Sequence, residues 1–416
     1  MKKWYLSQYF SAIAIKKLTL VEVNAAKSNQ HEFNWTNQIK ELFWEVQWTD
    51  KKIIEWKFLY MSDYDDETVE DDGNLTWYDS RAKSYERTWR SEYRLYFPDN
   101  IVMNCASEND TLIIGKLPTW NAIVIIAEAE STIANQLQWL FGFSEINPWF
   151  SVKSELETDQ DKINFASRTI LEAIWIEIEL DKTYENYLDE MLKKFNGNFP
   201  TTKIFSEYAR WIVGIDTIHW QTSDTILMLY MEREEILFRT LEKYLLWDRL
   251  SKGFIDDSWV PDVEWFVDFS LWVQNRRKSR VGAWFENHIE YIFQLKNVQY
   301  TTKVITENKS KPDFLFPSIE AYRDWSYPHS KLNILWAKTT CKDRWRQVLS
   351  EADRVETKHL ITLQTAISEA QTNEMRSRSL QLVIPRKLHE TYNKNQQDWL
   401  MSLDGFIDLV KTNALK

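Results

Sequence analysis

Glycine is nearly missing from this chain, with 8 residues in 416 beside 22 tryptophans. Ordinary usage puts glycine alone near ~7%. Glycine takes a positive φ without steric cost, so a chain this poor in it can close few left-handed turns easily. Tryptophan stands at several places where turn chemistry asks for glycine. Asn34-Trp35, Ser258-Trp259-Val260-Pro261 and Asp324-Trp325-Ser326 have the form of N-G, S-G and D-G turns. These positions are expected to carry a glycine-type backbone. A UGA codon, read as glycine in some bacterial lineages and rendered as tryptophan, would leave this pattern; a genuinely tryptophan-rich core is the rival account. Trp345, between two arginines, reads as a true tryptophan.

At 416 residues the chain is long for one core, and two domains are the natural expectation. Hydrophobic residues make up 44% and charged residues 27%, the balance of a globular protein. The net charge of -11 excludes indiscriminate coating of nucleic acid. Contact with DNA must come from local basic patches, and Arg81 to Arg94, Arg276 to Arg280 and the cluster after Lys338 supply them. Two cysteines and six scattered histidines give neither a disulfide framework nor zinc spacing. Lys16 and Lys17 interrupt the apolar start, so a signal peptide is not expected. The aliphatic run Ala122 to Ala127 is far short of a membrane span. A cytoplasmic protein is expected.

Residues 30 to 150 read as short strands: Lys52 to Phe58, Glu92 to Phe97, Thr111 to Ile114 and Ala122 to Ala127. The acidic stretch Asp63 to Asp72 reads as a solvated loop. Ser131 is placed to cap a helix with Ile133, Leu137, Leu140 and Phe141 at helical spacing. A helix near Phe165 to Ile174 closes a β-rich first domain, 1–180 with its connector. From Tyr184 the pattern turns helical, with apolar stripes at Tyr187 to Leu192 and Met231 to Leu246. Thr201 to Ala209 has a helix start, and Phe285, Ile289, Ile292 and Phe293 form one buried face. Val298 to Val304, Phe314 to Phe316, Leu332 to Leu335 and Leu380 to Ile384 read as strands. The alternation argues for an α/β second domain over 181–416.

Chemistry concentrates in this second domain. Asp313 leads into one short strand, Lys338 follows the next, and a helix expected from Cys341 to Val355 carries Arg344 and Glu351 on one face. Two carboxylates and a lysine at neighbouring strand ends suit metal-assisted phosphodiester cleavage. The carboxylates hold a divalent ion, with Mg²⁺ favoured by hard oxygen donors and a phosphate substrate. The lysine orients water and offsets developing charge. Spacing alone would arise readily by chance among 62 acids and 51 bases.

The surrounding residues add to it. Lys311-Pro312-Asp313, Ala337 to Gln347, Glu351-Ala352-Asp353 and Gln381 to Pro385 closely resemble the catalytic half of EcoRII-type restriction endonucleases. These are PD-(D/E)xK nucleases whose second acid has moved onto the helix. Gly282 to Phe293 and Asn275 to Arg280 are similar to the same family. Ser28 to Asn34, Thr76 to Arg81, Arg90 to Arg94 and Ser131 to Phe141 resemble its amino-terminal effector domain.

The resemblance implies a multidomain fold: a β-rich DNA-binding pseudobarrel, then a restriction-endonuclease-like α/β domain with a mixed central sheet. It implies Asp313 and Glu351 as metal ligands, Lys338 beside the scissile phosphate, and Tyr322 as an active-site tyrosine. Lys342, Asp343 and Arg344 would read C·G pairs, and His31, Arg90, Glu92 and Arg94 would contact effector DNA. A surface ion-pair ladder is the alternative for Arg90, Glu92 and Arg94. Glu286 and Arg239 are weaker candidates. The family implies a CCWGG-like target, Mg²⁺, a homodimer, relief of autoinhibition by a second DNA copy, and a cognate cytosine methyltransferase. A non-cleaving DNA-binding protein and a structure-specific repair nuclease are the rivals. Trp336 and Trp284 depart from the expected pattern, since a small residue would suit close packing beside the site.

Overall fold

The computed structural model describes residues 4–23, 31–34, 36–43, 51–64, 68–82, 92–119, 121–176, 178, 187–255, 260–307, 311–341, 345–349 and 354–415. The chain divides into one unit of Met1–Ile178 with Thr365–Thr372, and a second of Glu179–Gln364 with Asn373–Lys416.

The first unit is built on an eight-stranded sheet. Its strands are β1 (Ala12–Lys17), β2 (Glu32–Phe33), β3 (Lys52–Met61), β4 (Val69–Asp79), β5 (Tyr93–Tyr96), β6 (Thr111–Lys116), β7 (Ala122–Ala127) and β8 (Ser151–Lys153). They lie in the order β2-β5-β4-β3-β7-β6-β1-β8. All pairs are antiparallel except β3 with β7. The six residues of β7 are all buried because the sheet is covered on both sides. Val124 and Ile126 join one core with Leu112, Ile114, Phe58 and Trp77. Ile123 and Ile125 point the other way, to Ile113, Ile13 and the helices Thr132–Phe141 and Phe165–Ala173. Ser131 caps the first of these, its hydroxyl accepting from the Ala134 N–H at 3.1 Å.

The acidic stretch is not a loop throughout. β4 begins at Val69, and Glu70, Asp71 and Asp72 lie in register with Leu59, Phe58 and Lys57 of β3. Lys57 pairs with Glu70 at 2.8 Å. Cross-strand pairing and an opposite charge make a strand of what a charge run alone suggests is solvated coil.

Within the same unit, Lys16 is fully buried on β1 and held by Glu22 at 2.6 Å. Burial lowers the lysine's pKa, opposed by the Glu22 charge. Glu22 also accepts from the N–H groups of Thr19 and Asn34, which ties the end of the 31–34 segment back to β1 through Lys16.

The second unit carries a five-stranded sheet, β13-β12-β11-β10-β9. These are β9 (Thr301–Thr302), β10 (Phe314–Phe316), β11 (Asn333–Ala337), β12 (Lys358–Ile361) and β13 (Leu380–Val383). β10 runs antiparallel to both neighbours, whereas β11, β12 and β13 are mutually parallel, so the sheet is mixed. Of the strand expected over Val298 to Val304, only Thr301–Thr302 pairs. Thr201 caps Thr202–Val213, and the long helices Ser223–Lys252 and Val263–Leu295 follow. Phe285, Ile289, Ile292 and Phe293 are fully buried, and Phe293 packs edge-on against Phe314 and Phe316 of β10. That contact fixes which face of the long helix looks toward the sheet.

Candidate active site

Because β10 and β11 are antiparallel, with Phe314 opposite Leu335, the residue before β10 and the residue after β11 reach the same sheet edge. Those residues are Asp313 and Lys338. Asp313 Oδ2 accepts from the Ala337 N–H at 2.8 Å and from Lys338 Nζ at 3.1 Å. The Lys338 N–H in turn donates to the Ile361 carbonyl at 3.0 Å, anchoring the backbone below the lysine on β12. Both side chains keep solvent access, 16% for Asp313 and 35% for Lys338. Both named partners of Asp313 bind Oδ2, which leaves Oδ1 available to a cation.

Glu286, on the Val263–Leu295 helix, lies within reach of the charges of Asp313 and Lys338. Burial raises its carboxyl pKa, and the charge of Asp313 raises it further; Lys338 and Lys303 oppose. A partly buried carboxylate whose proton affinity is raised by burial and a second carboxylate is one that a bound cation would stabilise in its charged form. Glu351 lies outside the described residues. Among those described, no cluster of three acidic, histidine or cysteine side chains is assembled. Asp313 and Glu286 are hard oxygen donors that fit a Mg²⁺-type ion.

A buried network fixes the helix carrying Glu286. On the next residue but one, His288 receives Arg210 Nη1 at Nδ1, 3.3 Å away, and faces Glu234 Oε2 with Nε2 at 2.7 Å. Arginine can only donate, so Nδ1 is the acceptor and Nε2 carries the proton. Burial pushes the His288 pKa well down and that of Glu234 well up. Ser206 donates to Glu234 at 3.0 Å, and Asn287 donates to Ser206 at 3.1 Å.

Tyr322 is buried on the short Ile319–Arg323 helix, and its hydroxyl donates to Glu307 Oε2 at 2.5 Å. The Arg354 guanidinium encloses this turn, donating to the carbonyls of Tyr322, Asp324 and Tyr327. Lys342, Asp343 and Arg344 lie outside the described residues, and of the helix expected from Cys341 only Trp345–Val348 is described as helical. Arg239 pairs with Glu235 at 2.9 Å. The basic run Arg276 to Arg280 is largely engaged in packing. Arg276 lies over Phe199, Arg277 pairs with Glu242, and Arg280 donates to the Pro200 carbonyl. Trp336 is buried in β11 and Trp284 is buried against Phe238.

In the first unit, Glu92 and Arg94 share a strand face and pair with each other at 2.9 Å. Glu92 also holds Arg81 at 2.6 Å, and Arg94 holds Glu32 at 2.8 Å. Tyr78 donates to the second Glu32 oxygen at 2.6 Å. The hydrogen bonds from Arg94 and Arg81 lower the Glu92 pKa. The ladder anticipated as the alternative for these residues is therefore present. The His31 ring lies edge-on to Tyr96 and Phe97. Arg90 lies outside the described residues.

A mixed sheet thus brings an aspartate and a lysine together at one edge. Residues 238–407 match the family described as EcoRII C terminal. The resemblance seen in its motifs is thus borne out there. Over 172 residues the chain is 43% identical to the type II restriction enzyme EcoRII of Escherichia coli. This match covers 41% of the chain and 41% of the relative's own length. Similar solved structures include metal-depleted Ecl18kI in complex with uncleaved, modified DNA, at 17% identity and TM-score 0.44, covering 57% of this chain and 86% of that one. A PspGI–substrate DNA complex is similar at 16% identity and TM-score 0.41, covering 52% and 93%.

Proposed function

We propose that this protein is a type II restriction endonuclease that cleaves double-stranded DNA at a short CCWGG-like site. The observation that carries this reading is the meeting of Asp313 and Lys338 at one sheet edge, inside the segment that matches the EcoRII carboxy-terminal family. Asp313 and Glu351 would hold Mg²⁺, with Glu286 as a further candidate ligand; when bound, the ion neutralises phosphate oxygens and lowers the pKa of water. Lys338, held by Asp313, presents a cation to the scissile phosphate. Lys342, Asp343 and Arg344 would read the target bases.

The β-rich first unit is the proposed effector-DNA domain, a pseudobarrel whose reader includes His31, Arg90, Glu92 and Arg94. Effector binding requires the Glu92–Arg94 and Glu32–Arg94 pairs to open, which suits a surface engaged only when DNA is present. A homodimer of the second unit is in keeping with the exposed apolar side chains Leu250, Val263, Phe266, Val267 and Leu271 near the ends of its two long helices. The proposed setting is the cytoplasm, beside a cognate cytosine methyltransferase. No described helix is long and apolar enough to cross a membrane.

The test is incubation with Mg²⁺ and a plasmid carrying several CCWGG copies. Discrete fragments support the proposal. Retarded but intact DNA favours a non-cleaving binder, and cutting confined to junctions or flaps favours a repair nuclease.

A further inference from the structure

We propose that a subset of the tryptophan positions, with 4 and 175 foremost, is occupied by glycine in the protein as its own cells make it. A UGA codon decoded as glycine accounts for the substitution at all of them. Trp175 gives the clearest case. It follows the Phe165–Ala173 helix with φ +67°, its N–H donates to the Glu172 carbonyl, and the Ile176 N–H donates to the Leu171 carbonyl. That pair of bonds is the Schellman ending, which requires a left-handed residue where glycine or asparagine is favoured. The same pair of bonds recurs with Gly142 (φ +71°) and Asn297 (φ +53°), and Asn196 (φ +51°) ends its helix in the same left-handed conformation with its N–H on the Leu192 carbonyl. Three of these four helix ends carry glycine or asparagine, and the fourth carries the bulkiest side chain available. Trp175 is 59% exposed, so no buried packing compensates. Its indole lies under Lys57, an exposed cation–π contact of the weakest kind, and Lys57 already pairs with Glu70.

One further position agrees through the same backbone physics. Trp4 also takes a left-handed backbone, φ +69°, where a bulky residue is a steric outlier. Trp56 does not join them: it is buried on β3, and its indole fills the space that a Cβ at Gly73 opposite would need. The turn at Asp324 behaves otherwise: Trp325 is 77% exposed but is not left-handed. Trp35 and Trp259 lie outside the described residues. By contrast Trp77 is fully buried and stacked on Tyr93 at 5.1 Å, and Trp345 is fully buried. Those two are tryptophans by their packing.

Two measurements decide the matter. Peptide mass spectrometry of the protein purified from its own cells should read glycine at 4 and 175 and tryptophan at 77 and 345. Tryptophan at the first two overturns the proposal. Independently, thermal unfolding of the full chain made in a standard host should show Trp175→Gly raising the midpoint of the first unit by a few degrees. Trp175→Ala should recover less, because alanine keeps the Cβ that a left-handed φ penalises, and Trp77→Gly should lower the midpoint. Equal effects of glycine and alanine at 175, or a lower midpoint with glycine, would refute the backbone argument.

Discussion

Replacing Lys338 by alanine separates catalysis from architecture. The lysine bridges to Asp313 at 3.1 Å while 35% exposed, and Asp313 retains the Ala337 N–H at 2.8 Å. A pair this open to solvent contributes about 0.2–1 kcal/mol to stability. In a unit of this size that corresponds to a midpoint shift of roughly 2–4 °C at most. Removing a preorganised charge from a developing anion costs far more, about 2.7–4 kcal/mol, or roughly 10²–10³ in kcat. Lys338→Ala should therefore fold and bind DNA nearly as the parent does. The salt dependence of binding should weaken by about one phosphate contact. Single-turnover cleavage of a plasmid with enzyme in excess should slow by at least two orders of magnitude. Cleavage within about tenfold of the parent would remove the lysine from the chemistry. Collapse of binding, midpoint and cleavage together would make Lys338 a structural residue.

Three other outcomes follow from the same geometry. Glu286→Gln should weaken the Mg²⁺ requirement curve by about 10- to 100-fold with little change in DNA affinity; an unchanged curve would place Glu286 outside the ion site. His359 is buried in β12 against Phe406, and burial depresses its pKa from 6.5 to about 4. The unfolded chain then binds the extra proton between those values, so stability is full above pH 6.5 and falls as the pH drops toward 4. The loss reaches up to ~3 kcal/mol, and urea titrations of His359→Phe should show a shallower acid slope than the parent. Arg94→Ala should reduce effector-DNA binding while leaving the midpoint of the first unit within ~1 kcal/mol, because its ion pairs are partly exposed; unaltered DNA binding would leave the pairs with Glu92 and Glu32 as surface structure alone.

How much of this was legible in the chain depends on whether each feature is local. Phe314–Phe316 and Ala122–Ala127 appear where their apolar runs place them, since a buried strand advertises itself in consecutive residues. Asp313 and Lys338 flank such runs, so their convergence follows once the strands pair antiparallel. Glu286 had no such signal. It lies between the buried Phe285 and His288 on a helix whose Phe293 docks on β10, and no run of its own neighbours points to the site. The first half of that helix was equally opaque. Val263, Trp265, Phe266, Val267, Leu271 and Trp272 are exposed, so its apolar residues show no single buried stripe. The Glu307 partner of Tyr322 lies 15 residues away, beyond any pattern rule. A tyrosine whose hydroxyl is already donated to Glu307 can serve the phosphate only by releasing that carboxylate. If Tyr322 acts in cleavage at all, Tyr322→Phe and Glu307→Gln must therefore change the rate in opposite directions: the first removes the hydroxyl, and the second loosens its hold. Equal losses from both would assign the pair to holding the 319–329 turn under Arg354 instead.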